Sequence, residues 1–339
     1  MAGSAGDGPT VPDAETERLR LQIEEFLLEG PAHLSRQDVA GRAGVSVEDA
    51  ARLWRALGFP DVGDDAPVFA DIDVEVLALA VDLAERGIVD VTSQAAITRT
   101  IGQAMSRLAE WQVGFLFTLI SQQPEAVLGG ERSVLDFVEE MVPILERFHT
   151  YAWRRHLDAY ASRALARIGV DRSDDRVVGF VDISGYTSLT RKIDTDDLGS
   201  LLEKFESIAA DVVSAAGGRV VKSLGDEVLF TSDDGLTATR LALDIVAQCN
   251  NDPDMPDVRA GLAFGSIMSR LGDVFGSTVN LASRLTSIAR PSSVLVDRTL
   301  ADILRADDAA LDLTLRPLSR VSVRGFAHLQ PWLVRRLPG

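Results

Sequence analysis

The chain is 339 residues long, 46% hydrophobic and 25% charged, with a formal net charge of −17. That composition is globular and leaves room for about two domains. So acidic a chain repels phosphate backbones, which excludes broad electrostatic binding of nucleic acid, although metal ions can still screen a nucleotide triphosphate locally.

Residues 1–14 are mostly Gly, Ala, Ser, Asp and Pro with little to bury, and are expected to be a disordered tail. From Thr16 to about Gly169 apolar residues recur at three-to-four spacing, the periodicity of helices, and no convincing strand interrupts them. Arg18 to Leu28 opens the series as an amphipathic helix. Leu34 to Ser46, followed by Val47 to Leu57, predicts a helix-turn-helix with Gly44 in the tight turn and Ser46 capping the second helix. Such motifs bind DNA through the start of their second helix, but here that end carries Glu48 and Asp49, offset only by Arg52 and Arg55. A helical packing module is the better reading, and no nucleic acid is expected as a partner. Val74–Glu85, Gln94–Gln122 and Val134–Ile168 continue the helical pattern, and Met141–Ile168 predicts one long helical connection. Trp111 to Ile120 reads as core, with a wall of a lipid pocket as the alternative.

Near Arg172-Ser173-Asp174-Asp175 the pattern changes, dividing the chain into a tail (1–14), an all-helical domain with a linker helix (15–171) and a second domain (172–339). Val177 to Asp182 is a Val-rich apolar run ended by Ser-Gly, which predicts a buried strand. Leu198–Ala215 is helical, Arg219–Thr231 reads as two short strands joined at Gly225-Asp226, and Leu236–Cys249 is helical again. Val258–Phe264 predicts a strand, Val279–Ile288 a helix and Ser293–Asp297 a strand. The order β-α-β-β-α-β with additions is an α+β pattern with a ferredoxin-like core.

Two carboxylates stand at strand ends, Asp182 and Asp226. An Asp closing a buried strand before small residues faces a cleft more often than a core, whereas Asp226 beside Gly225 is equally well a turn residue. Paired carboxylates converging on one point suit Mg²⁺ when a nucleotide supplies the remaining oxygens. With two metals such a pair holds both the attacking and leaving oxygens of an in-line displacement.

Phe180-Val181-Asp182-Ile183-Ser184-Gly185-Tyr186-Thr187 resembles the first metal motif of class III adenylyl and guanylyl cyclases, and Lys222-Ser223-Leu224-Gly225-Asp226 their second. Gly272-Asp273 through Asn280 to Arg284 resembles their transition-state motif, in matching order and spacing from Val177 to about Leu333. The resemblance implies that Asp182, Ile183 and Asp226 hold two divalent ions, Mg²⁺ or Mn²⁺. It implies that Lys222 and Asp273 read the purine, that Asn280 orients the ribose and that Arg284 stabilises the α-phosphate in the transition state. Arg324, in Val323-Arg324-Gly325, stands where relatives carry a basic residue that contacts the triphosphate. In this family the metal carboxylates come from one subunit and the purine and transition-state residues from the other. One catalytic domain carrying both sets therefore implies a homodimer with two sites.

The purine assignment also follows from the side chains themselves. A Lys ammonium only donates and an Asp carboxylate only accepts, which complements the N1 acceptor and N6 amino donor of adenine; guanine would set donor against donor at N1. The substrate expected is ATP. A diguanylate cyclase is the first competing reading, but Leu224-Gly225-Asp226-Glu227-Val228 lacks the Gly-Gly and Phe of its hallmark. A regulator with a degenerate, nucleotide-sensing cyclase domain is the second, but Asp182, Asp226, Asn280 and Arg284 are all present.

The helical half, around Ala51 to Pro60, resembles the regulatory domain of the pH-responsive mycobacterial class III cyclases, which implies control by pH, with a lipid as the other candidate signal. Two of the four histidines, His149 and His156, lie in the predicted connection among Arg147, Arg154, Arg155, Arg163 and Arg167, which makes them candidate pH-sensing residues. The lone Cys249 excludes an intramolecular disulfide and points to a reducing compartment. No apolar run reaches the roughly 18 residues of a bilayer span, so a cytoplasmic protein is expected.

Overall fold

The computed structural model describes residues 14–122, 124–125, 133–165, 175–270 and 272–337. The chain divides into two compact units, Met1–Ala166 and Arg167–Gly339. Residues 1–13 of the expected tail and the expected domain boundary near residue 172 lie outside the described residues, as does the end of the expected linker helix beyond Leu165.

The first unit is helical: α1 (Ala14–Leu27), α2 (Arg36–Ala43), α3 (Val47–Leu57), α4 (Asp71–Glu85), α5 (Val91–Gln122) and α6 (Val134–Leu165). Ala14, assigned to the tail by composition, already belongs to α1. Ser35 and Asp38 form a reciprocal capping box on α2, Gly44 ends that helix at φ 74°, and Ser46 accepts from Asp49 N at 3.1 Å to start α3. A left-handed φ costs glycine nothing and other residues energy, which is why the turn falls at Gly44. Leu34, Val39, Ala50, Trp54, Phe69 and Leu77 form the core of this module, with Trp54 stacked on Phe69 at 4.3 Å. Three of its basic side chains are paired within it. Arg36 is buried and bonds Asp61, Asp64 and Val62 O, Arg42 pairs with Asp71, and Arg52 pairs with Asp49.

Trp111 to Ile120 departs from expectation. Trp111 is 62% and Phe117 65% exposed, so the segment is not core within one chain. Helical periodicity reports which residues share a face, not whether another element covers it. A cavity of about 300 Å³ in this unit lies elsewhere, between α3, α4 and the start of α5, lined by Leu53, Leu77, Val81 and Ala84. Among the described residues no helix is long and apolar enough to cross a membrane.

The second unit begins with β1 (Asp175–Ile183), the short α7 (Tyr186–Leu189), α8 (Thr195–Ala215), β2 (Arg219–Ser223), β3 (Glu227–Ser232), α9 (Gly235–Asn251) and β4 (Val258–Ser266). A hairpin of β5 (Met268–Arg270) and β6 (Asp273–Phe275) follows, then α10 (Ser277–Ile288), β7 (Val294–Val296) and α11 (Arg298–Ala306). Beyond Asp297, where the sequence reading stops, come β8 (Leu313–Pro317), β9 (Val321–Val323), β10 (Phe326–Leu329) and β11 (Trp332–Arg336) after α11. The seven-stranded sheet runs β2-β3-β1-β4-β7-β11-β8, and its first four strands with α8 and α9 make the ferredoxin-like core.

Side chains alternate across a strand, and β1 shows what this does. Val177, Val181 and Ile183 point to one face, into the core made with Phe205 of α8 and Leu241 and Ile245 of α9. Val178 and Phe180 point to the other, against Ala282 and Leu285 of α10. Full burial of each such Leu or Phe contributes roughly 1.5–3 kcal/mol. α10 lies directly on the sheet at Gly261 of β4, where an added Cβ would overlap Thr286 N and Ala282 O.

Candidate active site

The central row of the sheet at its open end is made of charged residues. Asp182 of β1 stands opposite Glu227 of β3 on one side and Arg259 of β4 on the other. By alternation all three share the α10 face with Phe180. Arg259 Nε donates to Asp182 Oδ2 at 2.7 Å, and Nη2 forms an ion pair with the same oxygen at 2.6 Å. Its remaining nitrogen, Nη1, donates to Ser287 O at 3.1 Å and Ala289 O at 3.4 Å, at the C-terminal end of α10. A planar five-donor fork is what such a three-way contact requires.

Asp226 joins this row through the backbone. The β2–β3 turn places Gly225 at φ 73°, and Ile183 N donates to Asp226 O at 2.9 Å. The two strand-end aspartates and the Ile183 peptide are thereby neighbours. Burial pushes the Glu227 carboxyl up to about 7, with the charges of Asp182 and Asp226 adding to the rise and Arg259 and Lys222 opposing it. Burial also raises Asp182 above its ordinary value; the hydrogen bond and charge of Arg259 oppose this, and the charge of Asp226 adds to it. Two carboxyl groups, Asp182 and Glu227, held above their ordinary values beside the charge of Asp226 mark a place where cationic charge is in deficit.

The donor set fits a hard divalent ion. Asp182, Asp226 and the Ile183 carbonyl are all oxygen donors, the type Mg²⁺ and Mn²⁺ take. Among the described residues no group of three or more His, Cys, Asp or Glu forms a ready cage. Mg²⁺ is usually held by one or two carboxylates plus substrate phosphates, and Asp182 and Asp226 would be those carboxylates.

A second cluster lies between β2 and the β5–β6 hairpin. Lys222 Nζ and Asp273 Oδ2 meet at 2.6 Å. Burial pushes the Asp273 carboxyl up, but the Lys222 hydrogen bond, the Val274 N–H and the charges of Lys222 and Arg219 outweigh it, leaving Asp273 below its ordinary value. Asn280 is exposed and Arg284 half-buried on α10, one turn apart and therefore on one side of the helix. Arg324 occupies the exposed turn between β9 and β10. Among the described residues no side-chain hydrogen bond or ion pair joins Asp182 or Asp226 to Lys222, Asp273, Asn280, Arg284 or Arg324.

His149 and His156 belong to the other unit. His149 Nε2 meets Gln112 Nε2 of α5 at 2.6 Å, and the exposed His156 ring stacks over Tyr160 with centroids 6.4 Å apart. Sequence reasoning missed Glu227, Arg259 and Arg219. For Arg259 one signal was present, since it is the lone charge in the apolar run Val258 to Phe264. Its opposition to Asp182 is a matter of register, which the sequence does not print.

An α+β domain follows a helical unit in the chain, and the family model for the adenylate and guanylate cyclase catalytic domain matches residues 168–335. The chain is 38% identical to an adenylate cyclase of Streptomyces coelicolor over 370 residues, covering 100% of this chain and 97% of that one. It is 34% identical to an adenylate cyclase of Glutamicibacter nicotianae, over 97% of this chain and 86% of the other. A pH-sensitive adenylate cyclase of Mycobacterium tuberculosis is 28% identical, over 84% of this chain and 74% of its own length. The chain belongs to the class III adenylate and guanylate cyclase family.

Proposed function

We propose that the chain converts ATP to 3′,5′-cyclic AMP and pyrophosphate, at sites shared between two copies. The observation that carries the choice of ATP is the meeting of Lys222 Nζ with Asp273 Oδ2 at 2.6 Å. One group that only donates and one that only accepts stand side by side, the complement of the adenine N1 and N6 edge. Asn280 orients the ribose, and Arg284 presents two parallel donors to the α-phosphate oxygens as their charge rises. Arg324, in the turn between β9 and β10, is the cationic side chain of this chain for the triphosphate. Two divalent ions, Mg²⁺ or Mn²⁺, held by Asp182, Asp226 and the Ile183 carbonyl, acidify the ribose 3′-hydroxyl and neutralise phosphate charge when bound. The O3′–Pα bond forms as the bond from Pα to the bridging oxygen of pyrophosphate breaks, and the hydroxyl proton leaves to solvent.

The test is product analysis by mass spectrometry with ATP and with GTP, each with Mg²⁺ and with Mn²⁺. Cyclic AMP as the dominant product supports the reading. Cyclic GMP in its place, or cyclic di-GMP, overturns it.

Regulation of a cytoplasmic enzyme by its helical half (15–171) is the finer part of the proposal, and of pH and a lipid ligand one contact favours pH. Gln112 Nε2 can donate to His149 Nε2 only while that nitrogen is unprotonated. A proton on that nitrogen would set donor against donor between α5 and α6 until the amide turns over, and histidine is the side chain whose ordinary range makes such a switch available. The pH–activity profile of the full chain is to be compared with that of a His149→Ala/His156→Ala variant. Superimposable profiles overturn this part.

A further inference from the structure

The β5–β6 hairpin carries Asp273 but does not belong to the main sheet. It is a separate two-stranded sheet, and among the described residues no ladder of main-chain bonds fixes it to the strands that hold Asp182, Asp226 and Lys222. Two polar side-chain ties from β2 reach it. One is the Lys222–Asp273 ion pair at 2.6 Å. The other is Arg219, whose Nη1 donates to Gly272 O at 3.2 Å. Arg219 itself is anchored in the main sheet, opposite Thr231 of β3.

The two ties differ once a base is bound. On the reading proposed above, adenine draws on the same ammonium and carboxylate that otherwise satisfy each other, so the Lys222–Asp273 tie is shared with the ligand. The Arg219 tie ends on the Gly272 main-chain carbonyl, outside that ion pair. That carbonyl belongs to the residue just before Asp273, at φ 83°, in a conformation that glycine tolerates and other residues resist. Holding this peptide therefore sets where the Asp273 carboxylate points.

We propose that Arg219 is a positioning residue for base recognition, bracing the Gly272-Asp273 peptide from β2 so that Asp273 stays in place to accept from the adenine amino group. Its charge acts in the same direction, helping to keep the Asp273 carboxyl ionised and hence an acceptor. Loss of the brace lets the acceptor drift. The cost falls on binding of adenine rather than on the bond-forming step, and it shrinks the advantage of ATP over GTP. This inference rests on the assignment of Lys222 and Asp273 as the purine-reading pair.

The experiment uses the full chain as wild type, Arg219→Ala, Arg219→Met, Arg219→Lys, Asp273→Ala and the Arg219→Ala/Asp273→Ala double variant. KM and kcat are measured for ATP and GTP, with thermal melting as a control for folding. Arg219→Ala and Arg219→Met are expected to raise KM for ATP about ten-fold, the size of one lost charge-assisted hydrogen bond. Little change in kcat, a smaller ATP-to-GTP ratio of kcat/KM and an unchanged melting temperature should accompany this. Arg219→Lys, which keeps a donor and a charge, should recover most of the loss. Adding Arg219→Ala to Asp273→Ala should cost nothing more, because the brace has no carboxylate left to place. An Arg219→Ala enzyme with unaltered KM and base ratio overturns the inference, as does equal loss with ATP and GTP that Lys does not rescue. Asp273→Ala with unchanged use of ATP instead removes the purine assignment, and the inference with it.

Discussion

Arg259 sets two nitrogens against a single oxygen of Asp182, Nε donating at 2.7 Å and Nη2 in an ion pair at 2.6 Å, and donates from the third to the last carbonyls of the helix that bears Asn280 and Arg284. One side chain thus ties the first aspartate of the candidate site to the seat of α10. Asp182 is only 15% exposed, so its carboxylate depends on this partner. A lysine cannot span the same contacts. Arg259→Lys is expected to lose about 2 kcal/mol of stability in urea melts near pH 8, the range for hydrogen bonds to a charged group. The variant's Asp182 is protonated more readily than wild type, so the gap should narrow when the melts are repeated at acid pH. A gap that is equal at both pH values would show that Asp182 is not what Arg259 stabilises.

The division of labour between subunits has its own test. Asp182→Ala and Arg284→Ala chains are each expected to be inactive, the one lacking a metal ligand and the other the transition-state cation. Mixed in equal amounts with subunit exchange, half the dimers would be mixed and each would carry one intact site out of two. The expected recovery is about a quarter of wild-type activity, by the reciprocity of a twofold assembly. No recovery despite demonstrated exchange rules out shared sites.

Glu227 gives a pH dependence whose sign follows from its surroundings. Its folded value of about 7 lies above the ordinary 4.5, so the folded chain binds this proton more tightly than the unfolded chain. Stability is therefore fully present below about pH 4.5 and is lost as pH rises through about 7. Glu227→Gln removes the penalty. In chelator-containing buffer the variant should melt a few degrees above wild type at pH 8 and level with it at pH 4.5. Equal melting temperatures at pH 8 would contradict the crowding of charge beside Asp182 and Asp226.

Gly261 tests the seating of α10. A Cβ at this position meets helix backbone, Thr286 N and Ala282 O, which cannot rotate aside as a side-chain end would. Gly261→Ala is expected to cost about 3 kcal/mol, the upper part of the range for overpacking, with loss of cyclase activity as Asn280 and Arg284 shift with the helix. Chemical denaturation and turnover measure the two effects. Wild-type stability in this variant would mean that α10 does not rest on β4 as described.

The sequence by itself determined the elements and the chemistry of their ends. Apolar runs such as Val177–Val181, the three-to-four periodicity of the helices, Gly44 and Ser46 at the helical turn, and the Asp182, Asp226, Asn280 and Arg284 motifs are all local patterns that backbone geometry translates directly. Only the tertiary structure decided which charges meet. Arg259 is 77 residues from Asp182 and Asp273 is 51 from Lys222. Their encounters depend on strand register and on where a hairpin folds back, and a one-residue slip in either strand would send the side chain to the opposite face. The same limit explains Trp111 and Phe117, whose apolar character was legible but whose exposure was not, because burial is a property of what packs against a helix rather than of the helix itself.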